Sequence, residues 1–60
     1  MEFKVGDLVY HTYSNQVGRV KDVSAIGMFI KYVNYGFAFE YQIEFVNVSN
    51  NKLIRILYGI

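Results

Sequence analysis

No cysteine and no proline occur in this chain, histidine occurs once, and acidic and basic residues nearly cancel. Missing cysteine removes disulfide staples and thiolate metal sites as supports for a small fold. The formal charge of +1 is far from the strongly basic balance of an electrostatic nucleic-acid binder. No apolar run approaches the roughly 20 residues of a membrane-spanning helix. The opening MEFKVGD also lacks the charged region, apolar stretch and cleavage site of a secretory signal. A cytoplasmic location and no contact with membrane are the resulting expectations. Repeats, low-complexity segments and linkers are absent too, so residues 1–60 read as one domain.

What the chain has in quantity is aromatic residues, six Tyr and five Phe in 60 positions. A core of this size rarely supplies more than about 3–5 kcal/mol net. Further support must come from aromatic packing or from self-association. Tyr suits either role, because it joins a large apolar body to a wettable tip.

The clearest pattern runs from Met28 to Phe45. Phe37, Phe39, Tyr41, Ile43 and Phe45 alternate with Ala38, Glu40, Gln42 and Glu44, the period of a half-buried strand. Met28, Ile30 and Tyr32 alternate in the same way before the turn residues Asn34-Tyr35-Gly36. A register with Lys31 opposite Glu40 sets Ile30 against Tyr41, Tyr32 against Phe39 and Met28 against Ile43. It predicts a central hairpin over about 28–45 with an apolar inner face and an outer ion pair.

Around that hairpin the spacing predicts a strand from Asp7 to Thr12 after the Gly6-Asp7 turn, and a second over Val17–Val23. Gly18 marks a bulge or a close backbone approach. The phase changes after Phe45, where a bend is expected. Ser49-Asn50-Asn51-Lys52 reads as a turn leading to a last strand over Leu53–Leu57, the rival being a helix over Asn50–Tyr58. Five short strands avoid long exposed edges by closing into a small barrel. The fold class expected is therefore all-β. The series Val5-Gly6-Asp7, Val9, Gly18-Arg19-Val20 and Leu53-Ile54-Arg55-Ile56 resembles the SH3-like barrels of the KOW, Tudor and CarD N-terminal type. That resemblance implies a five-stranded SH3-like barrel, a fold that hosts many unrelated functions. KOW domains carry a more basic loop surface than this chain does.

Chemistry-bearing residues are few. Glu40 and Glu44 fall on one face of the expected strand, with backbones about 13 Å apart, beyond the roughly 5–9.5 Å of glycosidase carboxylate pairs. His11 stands near Ser14, but no local carboxylate orients such a pair as a nucleophile and base. Asp7, Asp22, Glu2, Glu40 and Glu44 show no metal-ligand spacing around one histidine, and the glycines form no phosphate loop. No catalytic residue, metal site or cofactor is expected.

Binding remains. Phe29 faces away from the predicted core, and Tyr10, Tyr13, Tyr35 and Phe37 lie near loops or strand ends. These five are the candidate protein contacts, since Tyr gives contact area at low entropic cost. Arg19 and Lys21, two apart on one strand, with Lys31 nearby, are the candidate phosphate contacts of a weak KOW-like nucleic-acid binder. The expected function is a non-enzymatic module that binds a protein partner, a homodimer being one form. A phage or mobile-element accessory protein acting on a host factor fits that description.

Overall fold

A computed structural model describes residues 2–59. Its elements are β1 (Leu8–His11), β2 (Gln16–Val23), β3 (Gly27–Tyr32), β4 (Phe37–Tyr41), a 3₁₀ turn over Gln42–Glu44, β5 (Phe45–Asn47) and α1 (Lys52–Tyr58). The five strands make one antiparallel sheet in the order β4-β3-β2-β1-β5.

The entry to β1 is a turn in which the Asp7 N–H donates to the Lys4 carbonyl at 3.1 Å. Gly6 takes a φ of +96° there, a conformation that a side chain would oppose. The buried Asp7 carboxylate accepts from the Lys4 N–H and from Asn47 Nδ2, both at 2.9 Å, which ties the turn to β5. Gly18 is a point of close approach. A Cβ there would lie 2.5 Å from Ile30 Cγ2 and 2.9 Å from the Lys31 carbonyl oxygen. The bulge itself falls later, between Val20 and Asp22. Phe3, Val9, Val20, Met28, Ile30, Tyr32 and Phe45 form the core, with Val23 and Ala38 packed against it.

The β3–β4 register differs from the expected one. Met28 pairs with Glu40, Phe29 with Phe39, Ile30 with Ala38 and Lys31 with Phe37. Because Lys31 meets Phe37 rather than Glu40, the offset is odd and every β4 side chain changes face. Phe39 and Tyr41, expected in the core, are exposed, as is Ile43, while Ala38 and Glu40 point inward. No Lys31–Glu40 pair forms. The Tyr32 N–H donates to the Gly36 carbonyl at 3.2 Å, which closes the connection tightly and sets the register. The core is already occupied by Met28, Ile30, Tyr32 and Phe45, so small Ala38 fits where an aromatic ring would overpack.

The hairpin also ends sooner than expected. Gln42–Glu44 turns the chain, and Phe45 opens β5, which pairs with β1 through His11↔Phe45. Phe45 is 1 % exposed, so its place in the core holds even though it lies on a different strand. The predicted strand over Leu53–Leu57 is α1 instead. Asn51 Oδ1 accepts from the Ile54 N–H at 3.0 Å, so the asparagine pair caps a helix rather than turning a hairpin. None of the helix side chains is buried, and Leu53, Ile56 and Leu57 are exposed. β4 and β5 form the sheet edges, and among the described residues no ladder joins them. The sheet is therefore open where a closed barrel was expected: β5 has three residues, and the segment that would have extended closure is helical.

Candidate functional site

Two constellations follow from this register, one on each face of the hairpin. On the outer face, Phe37, Phe39 and Tyr41 of β4 stand beside Phe29 and Lys31 of β3. Their exposures are 57 %, 52 %, 60 % and, for Phe29, 39 %. Phe29 and Phe37 stack at 5.3 Å between ring centroids and 6° between planes. Lys31 Nζ lies 5.7 Å from the Phe37 centroid and donates to the Tyr35 carbonyl at 3.0 Å. Arg19 is opposite Lys31 across β2–β3, and its guanidinium donates to the Gly6 carbonyl at 2.8 Å. Lys21 is exposed at the bulge. This surface borders β4, a strand with no neighbour on its far side among the described residues.

The second constellation surrounds His11, whose side chain is 7 % exposed. Ser14 Oγ lies 2.6 Å from Nδ1, Glu44 Oε1 2.5 Å from Nε2, and Glu40 Oε2 4.0 Å from Nε2. β1 supplies the imidazole. The end of β4 and the 3₁₀ turn supply the carboxylates, which the expected straight strand held apart. Glu44 is fixed by its own backbone, since its carbonyl accepts from both Thr12 N–H and Thr12 Oγ1 at 2.9 Å. Glu40 accepts from the Tyr32 hydroxyl at 3.1 Å. Burial pushes the Tyr32 phenol well above its ordinary 10.0, and the charge and hydrogen bond of Glu40 and the charge of Glu44 add to the effect. Tyr32 therefore stays a donor. A cleft of about 330 Å³ reaches this cluster, its walls including His11, Ser14, Tyr32, Tyr35 and Glu40.

Of the five aromatics predicted as contacts, the structure brings Phe29 and Phe37 together. Tyr13 and Tyr35 belong to the other constellation. The Tyr13 ring lies 5.8 Å from that of His11, and Tyr35 meets Tyr32 edge-on at 6.3 Å. Tyr10 is half-buried and donates its hydroxyl to Asn15 Oδ1. Phe39 and Tyr41 join the outer face unpredicted; the same alternation held the signal, in the opposite phase. The carboxylate partners of His11 had no such signal, because they lie 29 and 33 positions away and meet it only through the 3₁₀ turn.

Comparison with protein-family models, with curated proteins and with solved structures found no match. No helix is long and apolar enough to cross a membrane among the described residues.

Proposed function

We propose that this domain is a non-enzymatic module that binds a protein partner through the outer face and free edge of the β3–β4 hairpin. One observation carries the reading: Phe29, Phe37, Phe39 and Tyr41 share a solvent-facing surface along β4, whose far edge has no strand neighbour among the described residues. Exposed aromatic patches of this kind mark contact sites, and an open edge offers backbone groups to an added strand. The added strand that fits most directly is β4 of a second copy. Phe37-Phe39-Tyr41 reads almost the same in both directions about Phe39, so antiparallel pairing sets Phe37 against Tyr41 of the copy with no opposed charges. The order of strands, with β5 returning beside β1, supports an SH3-like arrangement for the sheet that carries this surface.

Sedimentation equilibrium tests the reading. The chain is expected to dimerise, and Phe39→Lys, which places a charge on the edge, is expected to leave a folded monomer. A wild-type chain that stays monomeric at high concentration overturns the second copy as partner.

A nucleic-acid surface is the second reading. It is favoured by the Arg19–Lys31 juxtaposition beside the Phe29–Phe37 stack, an arrangement of cations and rings suited to single strands. Titration with a labelled oligonucleotide decides it. Affinity should fall steeply with salt if Arg19 and Lys31 meet phosphates, and absence of binding at low salt removes it.

A further inference from the structure

The His11 constellation brings three groups that can ligate a metal ion, His11, Glu40 and Glu44, close together. Nδ1 is engaged by Ser14 Oγ. When that contact uses an Nδ1–H donor in the neutral tautomer, Nε2 presents a lone pair to Glu44 and Glu40. An imidazole nitrogen and two carboxylates together form a donor set for a metal ion. Two features suit such an ion. The three ligand atoms lie within 4.8 Å of one another. Ligands about 2.0–2.2 Å from a tetrahedral ion stand roughly 3.3–3.6 Å apart, so coordination requires Glu44 to withdraw from its 2.5 Å contact with Nε2 and Glu40 to close from 4.0 Å. Moreover, two of the ligands have an outer partner, Ser14 on the imidazole and Tyr32 on Glu40, while Thr12 anchors the Glu44 backbone. Such support is the usual companion of metal-ligating side chains.

We propose that His11, Glu40 and Glu44 form a three-ligand site for a divalent transition-metal ion. One imidazole and two carboxylates are a ligand set that Zn²⁺ accepts, and imidazole argues against a site built for Mg²⁺ or Ca²⁺. Three protein ligands leave a coordination position for water or a ligand atom, and the cleft along His11, Ser14 and Glu40 gives access to it. The proposal does not rest on the aromatic contact surface, although Phe37 of that surface also lines this cleft.

Zn²⁺ alone, titrated into the tag-free full chain after chelator dialysis, tests it. The chain has one histidine, so its imidazole ¹⁵N signals report on a single residue. One equivalent of Zn²⁺ is expected to bind, shifting Nε2 while Nδ1 keeps its proton, and to raise the melting temperature. Glu40→Gln retains an acceptor for Tyr32 and is expected to fold, with Zn²⁺ affinity at least tenfold weaker. Asp22→Asn, on the outer face, is expected to bind as the wild type does. An Nε2 signal unmoved by a tenfold excess of Zn²⁺ overturns the proposal, as does equal affinity in Glu40→Gln. The first readout needs no variant, so a misfolded mutant leaves the test intact.

Discussion

The two faces of the β3–β4 hairpin are built from neighbouring residues of the same two strands, yet the face richer in aromatics is the one in water. Inward point Met28, Ile30, Tyr32, Ala38 and Glu40; outward point Phe29, Lys31, Phe37, Phe39 and Tyr41. Hydrophobicity alone favours the reverse for β4. What decides the orientation is the space that the rest of the fold leaves. β3 already fills the core with Met28 and Ile30, and Phe45 enters from β5. The remaining inner positions take a small residue and a carboxylate that Tyr32 and His11 can partner. Burial thus follows volume and polar satisfaction, and the displaced rings become a surface.

The comparison breaks first if the inner face tolerates truncation. Ile30→Ala removes a side chain with no exposed area, at a cost of about 2–5 kcal/mol. That is comparable to the roughly 3–5 kcal/mol available to a domain of this size. The variant is expected to be largely unfolded by far-ultraviolet circular dichroism; a cooperative melt near the wild type would place the core elsewhere. Gly18→Ala comes next. Its Cβ would press on the Lys31 carbonyl at 2.9 Å, a backbone atom that cannot step aside, and overpacking of this kind costs about 1–3 kcal/mol. Urea denaturation should show a lower midpoint, and an unchanged midpoint would contradict the β2–β3 approach.

Tyr32→Phe sharpens the inner face by pH. Tyr32 keeps its proton in the fold above the ordinary 10.0 at which an unfolded tyrosine loses it. Above about pH 10 the unfolded chain therefore binds fewer protons, and stability falls as pH rises toward the folded value. Below pH 10 the contribution is fully present. In metal-free buffer the wild type should show this alkaline loss, and Tyr32→Phe should flatten it while losing about 1 kcal/mol at neutral pH from the Glu40 hydrogen bond. Equal alkaline slopes in both proteins would mean that burial and Glu40 do not hold the Tyr32 proton in the fold.

Much of this frame is legible in residue order. The strands ending at His11 and Val23, the inward side of β3 and the close approach at Gly18 all follow from alternation and turn residues. The face of β4 does not, because period two names two faces without saying which is buried, and a loop shorter or longer by one residue exchanges them. The Ile43-to-Phe45 alternation continued through a 3₁₀ turn by coincidence of composition. Asn51 illustrates a local rule with two outcomes: it suits a hairpin turn and a helix cap equally, and only the absence of a strand partner for Leu53–Leu57 makes it a cap. The His11 cluster depends on a contact across 33 residues, which no local pattern encodes.

The smallest expected effect gives the finest test of the two-face picture. Phe39 sits at the centre of β4, 52 % exposed and opposite Phe29. Threonine there is also strand-favouring, through its β-branch, and removes the exposed ring. If the outer face serves binding and not stability, Phe39→Thr shifts the unfolding free energy by no more than about 0.5–1 kcal/mol, the loss being its cross-strand contact with Phe29. Self-association should weaken in the same protein. A loss as large as that of Ile30→Ala would return Phe39 to the core and restore the register with Lys31 opposite Glu40. The ratio of the two losses therefore measures which face is inside.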